Sequence, residues 1–178
     1  NDTRAVADRK LRQLLYPEGH PFRHRVIGEE ASLAAISRDD LIGFHRAFYG
    51  PKVSTVAMVG GIPAAEAAAQ LIAQLFDAWV SDAAPAPPAP VPPLPTGQPR
   101  ASETIPAKSQ TDLAIGTVTI ERLHPDYYAL DMANLILGRL GLMGRLGASV
   151  RDRQGLAYYA FSTIEPGRTS SLWLARAG

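Results

Sequence analysis

Leu11, Leu14 and Leu15 share one face of a helix drawn over Arg4 to Tyr16, and Pro17 and Gly19 stop it. A second amphipathic run holds Leu41, Phe44, His45 and Phe48 and is closed by Gly50-Pro51. It opens at Ser37-Arg38-Asp39-Asp40. There a hydroxyl can accept from an orphan amide, and carboxylates sit at the positive end of the helix. Val53 to Val59 is apolar and β-branched and ends at Gly60-Gly61, which predicts a buried strand. Pro63 predicts the start of a helix with one broad apolar face of Ala68, Leu71, Ile72, Leu75, Phe76 and Trp79.

Past residue 100 the periodicity shortens. Thr111 to Ile120 alternates in part and reads as a strand. His124-Pro125-Asp126 opens a helix with Tyr128, Leu130, Met132, Leu135 and Ile136, which Gly138 is expected to end. A stretch from Gly138 to Gly147 with four glycines follows, then a short helical segment from Ala148 to Arg153. Ala157 to Ile164 and Ser171 to Ala175 read as a hairpin turning at Pro166-Gly167. Strands in mixed order with helices between them predict an α+β fold, its helices packed on a mixed, largely antiparallel sheet.

Ala83 to Pro99 carries eight prolines and predicts a stiff, extended spacer. No arginine flanks it closely on the N-terminal side, which disfavours a PxxP ligand. The chain is thus expected to divide into residues 1–82, a linker over 83–100, and residues 101–178.

With 178 residues, 46% of them hydrophobic, the chain is long enough to bury a core without staples. It has no cysteine, which excludes disulfides, a thiol nucleophile and thiolate metal sites. Eighteen basic against seventeen acidic side chains make no electrostatic case for nucleic acid or an anionic membrane. No apolar run reaches the ~20 residues of a membrane span. The chain begins at Asn1 and stops at Gly178 inside an apolar stretch, as expected of a piece of a longer protein.

Metal chemistry would need the four histidines. His20 and His24 have a one-face helical spacing, but Pro17, Gly19 and Pro21 forbid a regular helix there. His45 lies in an amphipathic helix, His124 precedes a proline, and no His-x-x-Glu-His occurs. The glycine stretch follows a helix and lacks the Gly-Lys-Ser/Thr ending of a phosphate loop, and no serine elbow is present. One constellation remains. Arg151 ends a helix, Gly155 turns the chain, and Tyr158 starts a strand. A guanidinium and a phenol facing one space can donate to the carbonyl oxygens of an extended peptide. A surface ion pair for Arg151 and a half-buried strand position for Tyr158 is the plainer alternative.

The order Leu15-Tyr16-Pro17, His20-Pro21-Phe22, Ile27-Gly28, Ser37 to Leu41, Phe44-His45, Phe48-Tyr49, Pro51, Val59-Gly60-Gly61 resembles the pitrilysin/insulinase family. That family of zinc metallopeptidases includes the mitochondrial processing peptidases and their bacterial relatives. Gln110, Asp126 to Leu130, Ile136-Leu137-Gly138, Gly144-Arg145-Leu146 and Arg151 to Tyr158 continue the resemblance. It implies two homologous domains closing on an unfolded peptide, with zinc on a His-x-x-Glu-His helix of the first. This chain resembles the second half of one such domain followed by the first half of the next. The metal site would lie outside it, with zinc held by the complete enzyme or a partner subunit and no cofactor bound here. Without that site the chain alone is expected to be inactive, and Arg151 and Tyr158 match the family's substrate-holding pair. Gly144 stands where serine is usual, and Arg139 and Leu140 replace glycines, which speaks against substrate contact by the loop.

The implied function is the substrate-holding, non-zinc region of a metalloendopeptidase that encloses and cleaves unfolded peptides. The alternative is an arginine–tyrosine accessory subunit pairing with a zinc-bearing one, and a structural relative without proteolysis stands third. Implied partners are peptide or unfolded protein and a zinc-bearing domain or subunit of the same family. Residues 1–80 are expected either to pack with 101–178 or to exchange between chains as a homodimer. Composition leans toward a bacterial source; the sequence does not give the compartment, with bacterial periplasm or cytoplasm favoured.

Overall fold

The computed structural model describes residues 2–62 and 64–178. In chain order it contains α1 (Thr3–Leu15), α2 (Glu30–Ala35), α3 (Arg38–Phe48), α4 (Ala65–Phe76), β1 (Leu113–Thr119), α5 (Tyr127–Asn134), β2 (Ala160–Glu165) and β3 (Ser171–Ala177). Residues 2–27 join Pro88–Gly178 in one compact unit, and Gly28–Pro87 form another.

In the larger unit the strands lie in the order β1-β3-β2, every pair antiparallel. The class is therefore α+β, as the periodicity implied. The register sets Gly116 opposite Leu174 and Leu174 opposite Thr163, so alternate residues of β1 and β3 share a face. Val118, Leu172 and Leu174 bury on that face against Leu11, Leu15 and Tyr16 at the end of α1. Gly116 permits the contact, because a Cβ there would meet Leu11 at 3.0 Å and the Trp173 carbonyl at 2.8 Å. The Asp2 side chain caps α1 by accepting from the Arg4 amide at 3.0 Å. Tyr16 turns extended ahead of Pro17 and ends it.

Charged groups also fix α1 to the sheet. Arg176 on β3 holds both oxygens of Asp8 at 2.7 and 2.9 Å, and Arg12 pairs with Glu165 on β2. Asp112, just before β1, accepts from the hydroxyls of Thr3 and Tyr159. Burial raises the Asp112 pKa, but donation by Thr3 and Tyr159 and the charge of Arg4 outweigh it and hold the carboxyl below its ordinary value. A lowered carboxyl stabilises the fold above its unfolded pKa, about 4, and loses that contribution as pH falls through the folded value. Asp112→Asn is therefore expected to flatten the acid limb of a plot of Tm against pH. An unchanged limb would show that the cluster contributes nothing to acid stability.

The other face of the sheet carries Trp173, whose indole N–H donates to the buried Asn134 of α5 at 3.0 Å, and Ser162. Gly138 does not end α5. The helix runs on through a π-helical turn, Leu135–Arg139, in which Gly138 is buried against Ser162. Its role is close approach rather than termination.

In the smaller unit α3 is capped as expected. Ser37 Oγ accepts from the Asp40 amide, and Asp40 accepts from the Ser37 amide at 2.8 Å. The short α2, with its own reciprocal cap between Glu29 and Ser32, was not foreseen. The strand expected over Val53–Val59 is absent. Pro51–Val53 form a 3-10 turn, and Val56, Met58 and Val59 that follow are exposed with no backbone partner among the described residues. An apolar β-branched run becomes a strand only beside a neighbour to pair with. The helix expected after Gly61 is α4, and Pro63, expected to start it, lies outside the described residues.

The proline-rich stretch has no regular secondary structure. Within the larger unit the Pro90 carbonyl lies 2.8 Å from His20 Nε2, and Pro92 is buried.

Candidate functional site

Gly147–Arg153 form a second π-helical turn and bring Arg151 to its last residues. The end is closed by the Gly155 amide on the Arg151 carbonyl at 2.8 Å and the Leu156 amide on Val150 at 3.0 Å. Gly155 has φ of 63°, the left-handed conformation that favours glycine at such an exit. The chain then runs to the end of the sheet. The amides of Tyr158 and Tyr159 donate to the Gly178 carbonyl at 2.7 and 3.1 Å, and the Gly178 amide returns to Tyr159. Tyr158 is thereby fixed by Gly178, just past the central strand β3, and it lies two residues before β2, which starts at Ala160 and not at Ala157 as expected.

The structure brings the two sequence-predicted residues together. The Arg151 guanidinium carbon lies 5.7 Å from the centre of the Tyr158 ring, within cation–π range. Tyr158 is 82% exposed and the Arg151 side chain 36%, so both polar ends face solvent. Asp152 stands 4.0 Å from Arg151, at the limit of an ion pair, and leaves most of the guanidinium donors open. The pair can therefore present several donors to a carbonyl-rich ligand without first breaking a strong internal bond. The same turn borders a cleft of about 490 Å³ lined by Arg145, Ala148, Ser149, Asp152 and Arg153.

The glycine stretch packs on itself. A Cβ on Gly144 would lie 2.9 Å from Gly138 Cα, and one on Gly147 would lie 2.6 Å from Leu142 Cα. These glycines serve contact between backbone segments, and at Gly144 there is no room for a side chain.

Histidines are dispersed. His20 is buried, stacks on Tyr16 at 4.8 Å and accepts from the Phe22 amide through Nδ1. His45 stacks on Tyr49, and His124 Nδ1 accepts from the Asp126 amide. Among the described residues no group of histidine, aspartate or glutamate gathers closely enough to hold a metal ion. The donor set thus does not fit zinc. No helix among the described residues is long and apolar enough to cross a membrane. Among the other arginines over aromatic rings, the sequence reading missed Arg122 beside Tyr127 and Tyr128, which also lines a cleft. Its signal was weak, because the cleft around it is assembled from three separate segments.

Comparison with known proteins bears on this geometry. Residues 35–178 match the family described as the peptidase M16 inactive domain. A zinc protease of Mycobacterium bovis, described as uncharacterised, is 29% identical over 161 residues, which are 90% of this chain and 36% of that protein. Its Mycobacterium leprae counterpart is 29% identical over 146 residues, 82% of this chain and 33% of its own length. The chain spans about a third of the curated relatives it matches. The crystal structure of a peptidase M16 inactive domain from Pseudomonas fluorescens superposes with a TM-score of 0.83 at 26% identity, covering 99% of this chain and 42% of that one. A Helicobacter pylori protease shares the fold, with a TM-score of 0.87 at 24% identity over 97% of this chain and 42% of its own.

Proposed function

We propose the following reading, since this chain belongs to the family of the peptidase M16 inactive domain. It is the non-catalytic part of a zinc metalloendopeptidase, and its Arg151–Tyr158 pair holds the backbone of an extended peptide that is cut elsewhere. The observation that carries this is the pair itself, two exposed side chains with the guanidinium carbon 5.7 Å from the phenol ring centre, on a closed helix end and on the pinned segment leading into β2. An extended peptide offers a carbonyl about every 3.4 Å. A guanidinium fork and a phenol can grip such oxygens whatever the side chains, which suits an unfolded substrate of varied sequence.

Two further statements belong to the same reading. Residues 1–82 and 101–178 are halves of successive homologous domains, joined by the proline-rich linker over 83–100. The zinc-bearing partner is another domain of the same protein or a separate subunit. The curated relatives are described as zinc proteases, which favours the first arrangement. A His-x-x-Glu-His motif in the remainder of the full-length protein would support it, and substituted positions there would make this an accessory subunit.

The direct test is fluorescence anisotropy of a labelled, unstructured peptide titrated with this chain. Arg151→Ala is expected to weaken binding about tenfold, the loss of a charge-assisted hydrogen bond. Arg151→Lys should recover part of it, since it keeps the charge without the fork. Equal affinity in all three proteins would remove the assigned role.

A further inference from the structure

We propose that a cleft at the far end of β2 from Tyr158 is a carboxylate pocket, which receives an acidic side chain of the bound peptide. The inference rests on the peptide-holding reading above and adds a side-chain preference to it. The cleft has a volume of about 340 Å³. Arg122 enters it from beyond β1, Tyr127 and Asp131 from α5, Arg139 from the π-helical turn, and Thr163, Ile164 and Pro166 from the end of β2 and the turn after it.

The charges in this cleft do not cancel. Arg139 reaches both oxygens of Asp131, at 2.7 and 2.8 Å, so that carboxylate is already answered. Arg122 has no carboxylate within ion-pair distance among the described residues, which leaves one positive charge over. On the same connection Asp126 faces His124 at 3.9 Å. A single surplus charge matches the single charge of a carboxylate, whereas the second charge of a phosphate dianion would be left unanswered beside Asp131.

Arg122 is also held in place before any ligand arrives. Its guanidinium carbon lies 4.3 Å from the ring centre of the buried Tyr127 and 5.0 Å from that of Tyr128. It donates to the Tyr128 hydroxyl at 3.4 Å, and its backbone amide donates to the Gly167 carbonyl of the hairpin at 2.9 Å. Stacking fixes the plane of the fork while leaving N–H groups free, the arrangement that favours bidentate carboxylate binding. A side chain restrained in this way loses less freedom on binding than a solvated arginine would.

The position relative to Tyr158 fits an extended ligand. β2 runs six residues, Ala160–Glu165, which at about 3.3 Å per residue is roughly 20 Å, with Tyr158 two residues before its start and Ile164 near its far end. A peptide segment of about six residues spans that length. Its backbone would be gripped at the arginine–tyrosine pair, and an acidic side chain would reach the pocket.

The test compares two labelled, unstructured 15-residue peptides of serine, glycine and alanine, one with Glu at every third position and one with Gln there. The wild-type chain is expected to bind the Glu peptide about tenfold more tightly. Arg122→Gln should bring that ratio to about one and leave the Gln peptide's affinity within twofold. Arg100→Gln, an equal loss of charge on an exposed loop, should keep the ratio, and Arg151→Ala should weaken both peptides alike. A wild-type ratio of one overturns the pocket and needs no variant. So does a ratio that survives Arg122→Gln or collapses with Arg100→Gln. Failure of both peptides to bind overturns both this inference and the reading beneath it, whereas equal binding of the two overturns the pocket alone.

Discussion

Arg151→Ala in the complete protein is expected to lower kcat/KM for an unfolded peptide by about 10²-fold while leaving the zinc content unchanged. The magnitude follows from positioning. A peptide slipping by about an ångström at its anchor leaves the geometry in which the scissile bond can react, and misplacement of that size costs about two orders of magnitude. Metal content should stay constant because the described residues of this chain include no cluster of three or more side chains that could hold the ion. Tyr158→Phe is a milder change. It keeps the ring that faces Arg151 at 5.7 Å and removes only the phenolic donor, so about a tenfold loss is expected. Peptide hydrolysis assays and metal analysis on the same preparations check both. Unchanged kcat/KM in the two variants would end the assignment, and lost zinc in either would mean that the substitution acts through the fold.

The second large effect concerns stability. Gly138→Ala places a methyl carbon 2.6 Å from the Ser162 amide nitrogen and 2.9 Å from the Leu146 side chain. Ser162 is fully buried on a strand paired with β3, so its backbone cannot yield without disturbing the ladder. Overpacking against backbone costs about 3 kcal/mol, which for a unit of this size lowers Tm by roughly 10 °C. Gly43→Ala in α3 is the opposite case. Its added methyl meets nothing within 4 Å, and the helical gain of about 1 kcal/mol should raise the stability of that segment. Thermal melts by circular dichroism distinguish the two. Equal melting of wild type and Gly138→Ala would mean that the close packing of the π-helical turn on β2 is not maintained in solution.

Most of what was legible in the sequence was local. The leucines of α1, the Ser37 cap and the β2–β3 hairpin are written in spacings of a few residues, and each is found in place. What escaped depended on contacts distant in sequence. Val53–Val59 has the composition of a strand but, among the described residues, no neighbour to bond with. Gly138 resembles a helix stop, yet its purpose is set by Ser162, 24 positions on. The arginine–tyrosine site was visible because Arg151, Gly155 and Tyr158 lie within one helix–turn–strand passage. Arg122 was not, because Asp131, Arg139 and the hairpin tip that shape its surroundings come from other elements.

The docking of α1 on the sheet has a kinetic consequence. Leu11 and Leu15 leave the ribosome about a hundred residues before Val118 and longer still before Leu174, the side chains that finally cover them. Contacts between segments so far apart form late, after most of the loop-closure entropy has been overcome. Until β3 is complete the helix lacks the sheet side chains that cover its leucines here, an interval in which association with other chains competes with maturation.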